Sequence, residues 1–279
     1  MLFFICHYTP LHERNTFIRK ELDSKVGNML YYNLPADDLN NNVPIHDFSK
    51  NNIDISMNTA LFVRKYDRDY IDKTFIDKMY LSQYDKSHNI RLEFVNHKDY
   101  NTNLLTYENF KSKHNHSLNH RGNKPAEISL ALKHYEALRN ITTMDVSYAM
   151  IIEDDCVFTE KFIEKLNDKI KLFPNDWDIY YPNSCPNPGF RTKGGYTPIQ
   201  GTDYIAIKNH PTSVFGISYL ITKTAAIKIV EDIDKNKLWL PIDHELSWLS
   251  YKLQLKVIWN SQSPRLTFWN TSGFKSSLI

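Results

Sequence analysis

The sequence predicts an α/β fold, a mixed and mostly parallel central sheet flanked by helices, from three observations. Short, continuous apolar runs such as Leu2–Cys6 and Ala149–Ile152 are what strands covered on both faces require. Amphipathic helical stretches follow them, LHERNTFIRKEL after the first run and EKFIEKLNDKIKLF after the second. The second run ends in three consecutive acids, Glu153, Asp154 and Asp155. These stand at the carboxyl end of a strand, the edge at which open α/β sheets bind ligands.

The acidic triplet is the feature around which the chain is organised. Three adjacent carboxylates repel one another unless a cation or hydrogen-bond donors compensate them, and hard oxygen ligands suit Mg²⁺ or Mn²⁺ bridging a diphosphate. In an extended chain Glu153 and Asp155 share one side and Asp154 faces the other. An acidic turn with no ligand is the plain alternative, since such turns are common after strands.

Composition narrows the function classes. The 279 residues suffice for a substantial core, and 42% hydrophobic with 24% charged residues is the balance of a globular chain. A net charge of +2, from 34 basic and 32 acidic side chains, creates no global field toward nucleic acid or anionic lipid. Cys6, Cys156 and Cys185 are odd in number and form no CxxC pair, which disfavours a disulfide framework or structural zinc. Met1–Cys6 is far shorter than the roughly 18 to 20 apolar residues of a membrane span. The expectation is a cytoplasmic, soluble protein with no transmembrane segment, peripheral membrane association remaining compatible with it.

Taken in order, Leu2–His7, a loop from Tyr8 to Arg14 and a helix with Phe17, Ile18 and Leu22 on its apolar side form a first βα unit. Its loop falls at the ligand edge, which nominates Thr9 and Arg14 for contact with a base or a phosphate. Strands are expected at Met29–Leu34, Ala60–Val63 and Ile90–Val95, and a helix at Tyr70–Tyr84. His114, His116 and His120 sit among Asn and Lys and read as a solvated loop. Pro125 opens a helix whose stripe is Ile128, Ala131, Leu132, Tyr135 and Leu138, with His134 at its margin. After the acids, Thr159 is the expected helix cap and Pro174 the stop.

Trp177, Ile179 and Tyr181 alternate as a strand. The segment 182–201, with four of the eight glycines, has the composition of a mobile loop near a substrate. Val214–Ile221 reads as a buried strand, Thr222 as a helix cap, Asp243-His244-Glu245 as a helix start and Lys256–Asn260 as the last strand.

Three stretches, in this order, resemble the glycosyltransferase family 25 group, which includes lipopolysaccharide and collagen galactosyltransferases. EISLALKH (Glu127–His134) is similar to the family's helix pattern of Glu, small residues and Ser-His, with His134 on the family His and Lys133 where the family usually has Ser. IIEDDCVF is similar to its hydrophobic strand followed by Glu-Asp-Asp. GISYLITKTAAIKIV through LPIDHELSWL is similar to its aromatic strand, small-residue helix and Pro-hydrophobic-Asp motif. The resemblance covers about half the chain, from Arg121 to Pro264, and Lys25–Ser87 is longer than the family's usual connection.

The resemblance implies a single GT-A type nucleotide-diphospho-sugar transferase domain over residues 1–279, with an insertion around 25–87. It also implies a divalent metal, Mn²⁺ or Mg²⁺, and inversion at the sugar carbon. The expected activity is transfer of a hexose or pentose, galactose or glucose first, from a UDP-sugar to a hydroxyl of a glycan, glycolipid or glycoprotein acceptor. Asp155 is assigned to the metal, Glu153 to the metal or the ribose, and Asp154 to the donor after them. Thr9, Arg14 and His134 complete the donor-binding set. Asp243 is the first choice for catalytic base because it holds the position of the family's Asp, and Glu245 is the second. His244 or His210 would complete a metal shell, since imidazole suits Mn²⁺. The competing classes are another metal-dependent nucleotide enzyme, such as a nucleotidyltransferase or phosphohydrolase, and a carbohydrate-binding protein without turnover.

Overall fold

The computed structural model describes residues 1–34, 57–64, 66–68, 78–79, 125–184, 196–198, 204–207, 217–260, 265–270 and 273–274. The strands are β1 (Leu2–Cys6), β2 (Leu30–Asn33), β3 (Thr59–Val63), β4 (Tyr148–Glu153), β5 (Cys156–Phe158), β6 (Ile179–Ser184), β7 (Tyr196–Pro198), β8 (Tyr204–Ile207), β9 (Ser218–Thr222), β10 (Val257–Asn260) and β11 (Thr267–Trp269). Nine of them form one sheet in the order β2-β3-β1-β4-β9-β6-β10-β8-β7, and β11 pairs with β5 in a second. The pairs β2/β3, β3/β1, β1/β4 and β6/β10 are parallel. The pairs β4/β9, β9/β6, β10/β8 and β8/β7 are antiparallel, so among the described strands only β8 and β9 run against the other seven. The fold is therefore mixed α/β with a mostly parallel central sheet. β2 and β3, both inside the 25–87 stretch, are paired members of that sheet.

Helices bounded within the described residues are α1 (His12–Lys25), α2 (Pro125–Thr143), α3 (Phe162–Ile170), α4 (Lys223–Asn236) and α5 (Ile242–Lys252). They cover both faces. Every residue of β1 is buried, Leu2, Phe4 and Cys6 toward a core shared with α2, α4 and α5, and Phe3 and Ile5 toward one shared with α1 and α3. The same alternation in β4 sends Ala149 and Ile151 one way and Met150 and Ile152 the other. Both faces of these strands being dry, their charges are confined to the strand ends. On the first face Trp259 is fully buried and stacks on Tyr181 with ring centroids 4.2 Å apart. Such a pair contributes about 0.5–1.5 kcal/mol beyond its buried area.

Local chemistry accounts for the helix ends. Val26 and Gly27 both return their N–H groups to the Leu22 carbonyl, at 2.8 and 3.2 Å, and Gly27 takes φ +108°, a conformation that only a residue without Cβ adopts freely. Thr222 caps α4 as its sequence suggests, its Oγ1 accepting from the Ala225 N–H at 3.2 Å. Thr159 does not cap α3. Its N–H donates to Leu266 O, which holds it in the ladder of β5 and β11, and the helix begins at Phe162 behind Lys161 in the left-handed region. The tail beyond Pro264, polar in sequence apart from Leu266, Phe268, Trp269 and Phe274, contains β11. Strand β6 begins at Ile179 rather than Trp177, and β9 at Ser218. The strand at Ile90–Val95, nearly all of the helix at Tyr70–Tyr84, the histidines at 114, 116 and 120, and most of the 182–201 loop lie outside the described residues.

Removing a satisfied cap tests the α4 boundary. Thr222→Ala is expected to lower stability in urea unfolding by about 0.5–2 kcal/mol, with Thr222→Ser nearly neutral. Equal losses in both would show that the Thr222 methyl, rather than its hydroxyl, is what matters.

Candidate active site

The chain leaves the sheet immediately after Glu153, and the turn at Asp154–Asp155 sends it back as β5. That turn overrides the alternation expected of an extended chain. Arg14, from the first turn of α1, reaches both aspartates: its Nη1 donates to Asp154 Oδ1 at 2.8 Å and to Asp155 Oδ2 at 3.2 Å. Asp154 Oδ2 lies 2.8 Å from His7 Nδ1, and because an ionised carboxylate only accepts, the Nδ1 of His7 carries the proton. Asp155 Oδ2 also accepts from the Trp269 indole N–H at 3.0 Å, and the Asp155 carbonyl accepts from the Asn270 N–H at 3.1 Å. β11 is thereby fastened over the acidic turn.

These contacts give three adjacent acids three different characters. Burial by itself would raise the Asp154 carboxyl, but the His7 and Arg14 hydrogen bonds and charges outweigh it and hold the group below its ordinary value. Asp155 is pushed up by burial and then by the Asp154 charge, with Arg14 and Trp269 opposing. Glu153 is pushed well above the carboxylate range, first by burial and then by the charges of Asp155, Asp154 and Asp243. Asp155 Oδ1 is buried with no hydrogen-bond partner among the described residues.

The three acids line a cavity of about 360 Å³. Its other walls come from the carboxyl end of β1 (Cys6, His7, Tyr8), the start of α2 (Ala126, Glu127, Ser129, Leu130, Lys133), the start of α5 (Pro241, Ile242, Asp243, His244), and Arg14, Arg68, Ile217 and Trp269. Lys133 is 2% exposed; its Nζ donates to the His7 carbonyl at 2.7 Å and pairs with Asp67, which also accepts from the Thr9 N–H at 3.0 Å. Burial lowers the Lys133 pKa, with Asp67 opposing that shift.

The sequence-nominated residues divide accordingly. Arg14, Glu153, Asp154, Asp155, Asp243 and His244 reach the cavity. Thr9 does not line it: its backbone is held by Asp67, and Tyr8 takes the lining position, with Arg68 4.1 Å above its ring. His134 is fully buried behind the cavity wall, stacked on Tyr219 with Nδ1 3.1 Å from the hydroxyl. Desolvation drops its pKa to about 3, so it stays a neutral core histidine. Glu245 is also fully buried and is structural in geometry: Oε2 accepts from the Trp239 and Leu240 N–H groups at 3.2 and 2.8 Å, tying the start of α5 to the segment before it. Asp243 shares that first turn but points to the cavity, with Oδ1 accepting from the His244 N–H at 2.8 Å. His210 lies outside the described residues.

His7, Asp67, Lys133 and Trp269 were not nominated from sequence. His7 carried one usable signal, its place at the carboxyl end of the first strand; Lys133 lay on an apolar helix, and Asp67 and Trp269 meet the site only through tertiary contacts.

Among the described residues no three His, Cys, Asp or Glu side chains are gathered so as to hold a metal ion. Mg²⁺ and Mn²⁺ sites at phosphates commonly use one or two carboxylates, with substrate oxygens and water filling the rest. The exposed need for positive charge at Glu153 and the unpartnered Asp155 Oδ1 fit that sparse kind of site. They do not form a preformed cage.

No protein-family model matches the sequence, and no curated protein matches it. The family 25 resemblance thus stands on its three motifs alone. Among solved structures, the fold is similar to mouse xyloside xylosyltransferase 1 in its apo form, at 9% identity and a TM-score of 0.36, covering 92% of this chain and 83% of that one. Among the described residues no helix is long and apolar enough to cross a membrane.

Glu153 offers a test with a definite sign. Its folded-state pKa lies above the unfolded one, so its stability is full below the unfolded value of about 4.3 and is lost as pH rises through the folded value. Glu153→Gln is therefore expected to raise the melting temperature at pH 7, and the gain should vanish as pH falls below about 4. A variant that melts lower than the parent at pH 7 would show that the ionised carboxylate is already compensated.

Proposed function

We propose that the protein is a GT-A type glycosyltransferase formed by residues 1–279 as one domain. In this reading it moves a hexose or pentose from a UDP-sugar to a hydroxyl of a glycan, glycolipid or glycoprotein, with inversion. The observation that carries the reading is the convergence of Glu153, Asp155 and Asp243 on one cavity that also presents Arg14, Arg68 and Lys133. Carboxylates of separate origin, one group at a strand end and one at a helix start, suit separate roles.

Glu153 and Asp155 would hold Mn²⁺ or Mg²⁺, with His244 beside them, and the ion would offset the charge of the departing diphosphate. Asp154 is committed to Arg14 and His7 and acts by orienting them. Arg68, stacked on Tyr8 at the end of β1, is placed for the nucleotide side of the donor. Asp243 is the proposed base: it takes the acceptor hydroxyl proton while the new C–O bond forms at the sugar carbon and the bond to the diphosphate breaks. Its carboxylate is seated in the first turn of α5 and lines the cavity. Glu245 is left to its structural contacts.

A thermal-shift screen of UDP-galactose, UDP-glucose, UDP-xylose and GDP-sugars with and without Mn²⁺ tests the class, since a ligand at 100 times its Kd stabilises by about 2.7 kcal/mol. Asp155→Asn should abolish the Mn²⁺-dependent shift with UDP while the protein still folds, and unchanged affinity would remove Asp155 from the donor site. Asp243→Asn should lower kcat by ~10² to 10⁴ with donor affinity retained. Near-normal turnover in a variant that melts lower would reduce Asp243 to a helix-end residue. Release of pyrophosphate, instead of UDP with a glycosylated acceptor, would favour a nucleotidyltransferase.

A further inference from the structure

Among the tryptophans at the core, Trp239 and Trp259 are 4% and 0% exposed, whereas Trp269 is 43% exposed while lining the cavity. Leaving an indole in water forgoes apolar burial that the fold takes elsewhere. The position is nevertheless held by several contacts. β11 pairs antiparallel with β5, placing Trp269 opposite Cys156, the residue that follows the acidic triplet. Its N–H donates to Asp155 Oδ2, and the next backbone N–H, that of Asn270, donates to the Asp155 carbonyl. Two positions back, Thr267 is fully buried, its Oγ1 2.7 Å from Ser218 Oγ. An exposed ring anchored at its edge and along its strand is preorganised for a ligand that uses its face.

The chemistry of the surroundings selects the ligand. An aromatic face carries negative charge density, and donation of the indole N–H to a carboxylate increases it. A pyranose offers the complement, a patch of polarised C–H groups on one face and hydroxyls around its rim. Carboxylates able to accept from such hydroxyls, Asp243 among them, line the same cavity. We propose that Trp269 is the stacking platform for a pyranose ring bound in the cavity, a specificity residue distinct from the metal and base roles. This rests on the glycosyltransferase reading for its setting, and the ring belongs either to the donor sugar or to the acceptor.

The test compares the parent protein with Trp269→Phe, which keeps a ring and loses the N–H, and Trp269→Gln, which keeps an N–H and loses the ring. Probes are UDP, UDP-galactose, UDP-glucose and UDP-xylose with Mn²⁺ by calorimetry, and methyl β-D-galactopyranoside and methyl β-D-xylopyranoside by saturation-transfer NMR. The expected result is that Trp269→Gln weakens a pyranose-bearing probe by about tenfold or more, Trp269→Phe stays within about threefold, and UDP is unaffected in both. A loss confined to UDP-sugars assigns the platform to the donor ring; a loss confined to methyl glycosides assigns it to the acceptor.

Equal losses for UDP and UDP-sugars, stronger losses in Phe than in Gln, or no change in either would overturn the platform. In the first two cases Trp269 only positions Asp155 or meets the nucleotide. If the parent binds methyl glycosides through Trp269 but no UDP species, the glycosyltransferase reading fails and the platform stands. If it binds none of the probes, both fail. Should Trp269→Gln not fold, the parent labelled with 5-fluorotryptophan supplies the answer: the Trp269 resonance, assigned by its loss in Trp269→Phe, moves on adding a pyranose and not on adding UDP.

Discussion

Arg14 beneath the turn at Asp154–Asp155 is the interaction on which the site depends. A buried guanidinium with two carboxylates is costly to desolvate, and it is stable only because its geometry is filled from both sides. Its distances to Asp154 and Asp155 are 2.8 and 3.2 Å, and all three side chains are under 10% exposed. The arrangement joins α1 to the end of β4 across the sheet edge. It also leaves Glu153 as the acid whose charge is least compensated, and so the one with the most to gain from a cation.

Around that point the carboxyl ends of β1 and β4, the starts of α2 and α5, and β11 meet in one cavity. The parallel run β3-β1-β4 brings the first two ends to the same edge. The reversed strand β9 begins beside Glu153, whose N–H donates to Ile217 O at 2.8 Å, and β9 leads through α4 to α5 and Asp243. At the cavity wall, Lys133 and its partner Asp67 hold the loop after β1 by its backbone at His7 and Thr9. The side chains that line the cavity are thus mounted on strand ends and helix starts, and the buried, like-charged acids carry a cost in stability that packing of the two cores sustains.

Much of this was legible in the residues. The continuous apolar runs located β1, β3 and β4, because strands dry on both faces exclude polar side chains wherever they lie. Pro125 and Thr222 located helix starts, since first-turn chemistry is local. The acidic triplet and Asp243 could be nominated because charges next to a buried run must sit at its end. Thr159 misled for a specific reason: its pattern suits a cap, but Leu266, more than a hundred residues away, claims its backbone.

What the sequence determined by itself was local: the elements, their buried faces, and the strand end at which a ligand site belongs. Which partners each acid has was decided by the tertiary structure. Asp154 is paired by His7 and Arg14, Asp155 by Arg14 and Trp269, and these partners come from distant parts of the chain. His134 and Lys133 are neighbours on one helix, yet the first is sealed in the core and the second faces the cavity. Glu245 and Asp243 divide likewise between a structural and a cavity position. The physical reason is that a side chain's charge state and access depend on burial and on partners within a few ångströms, quantities set by packing and invisible in spacing along the chain.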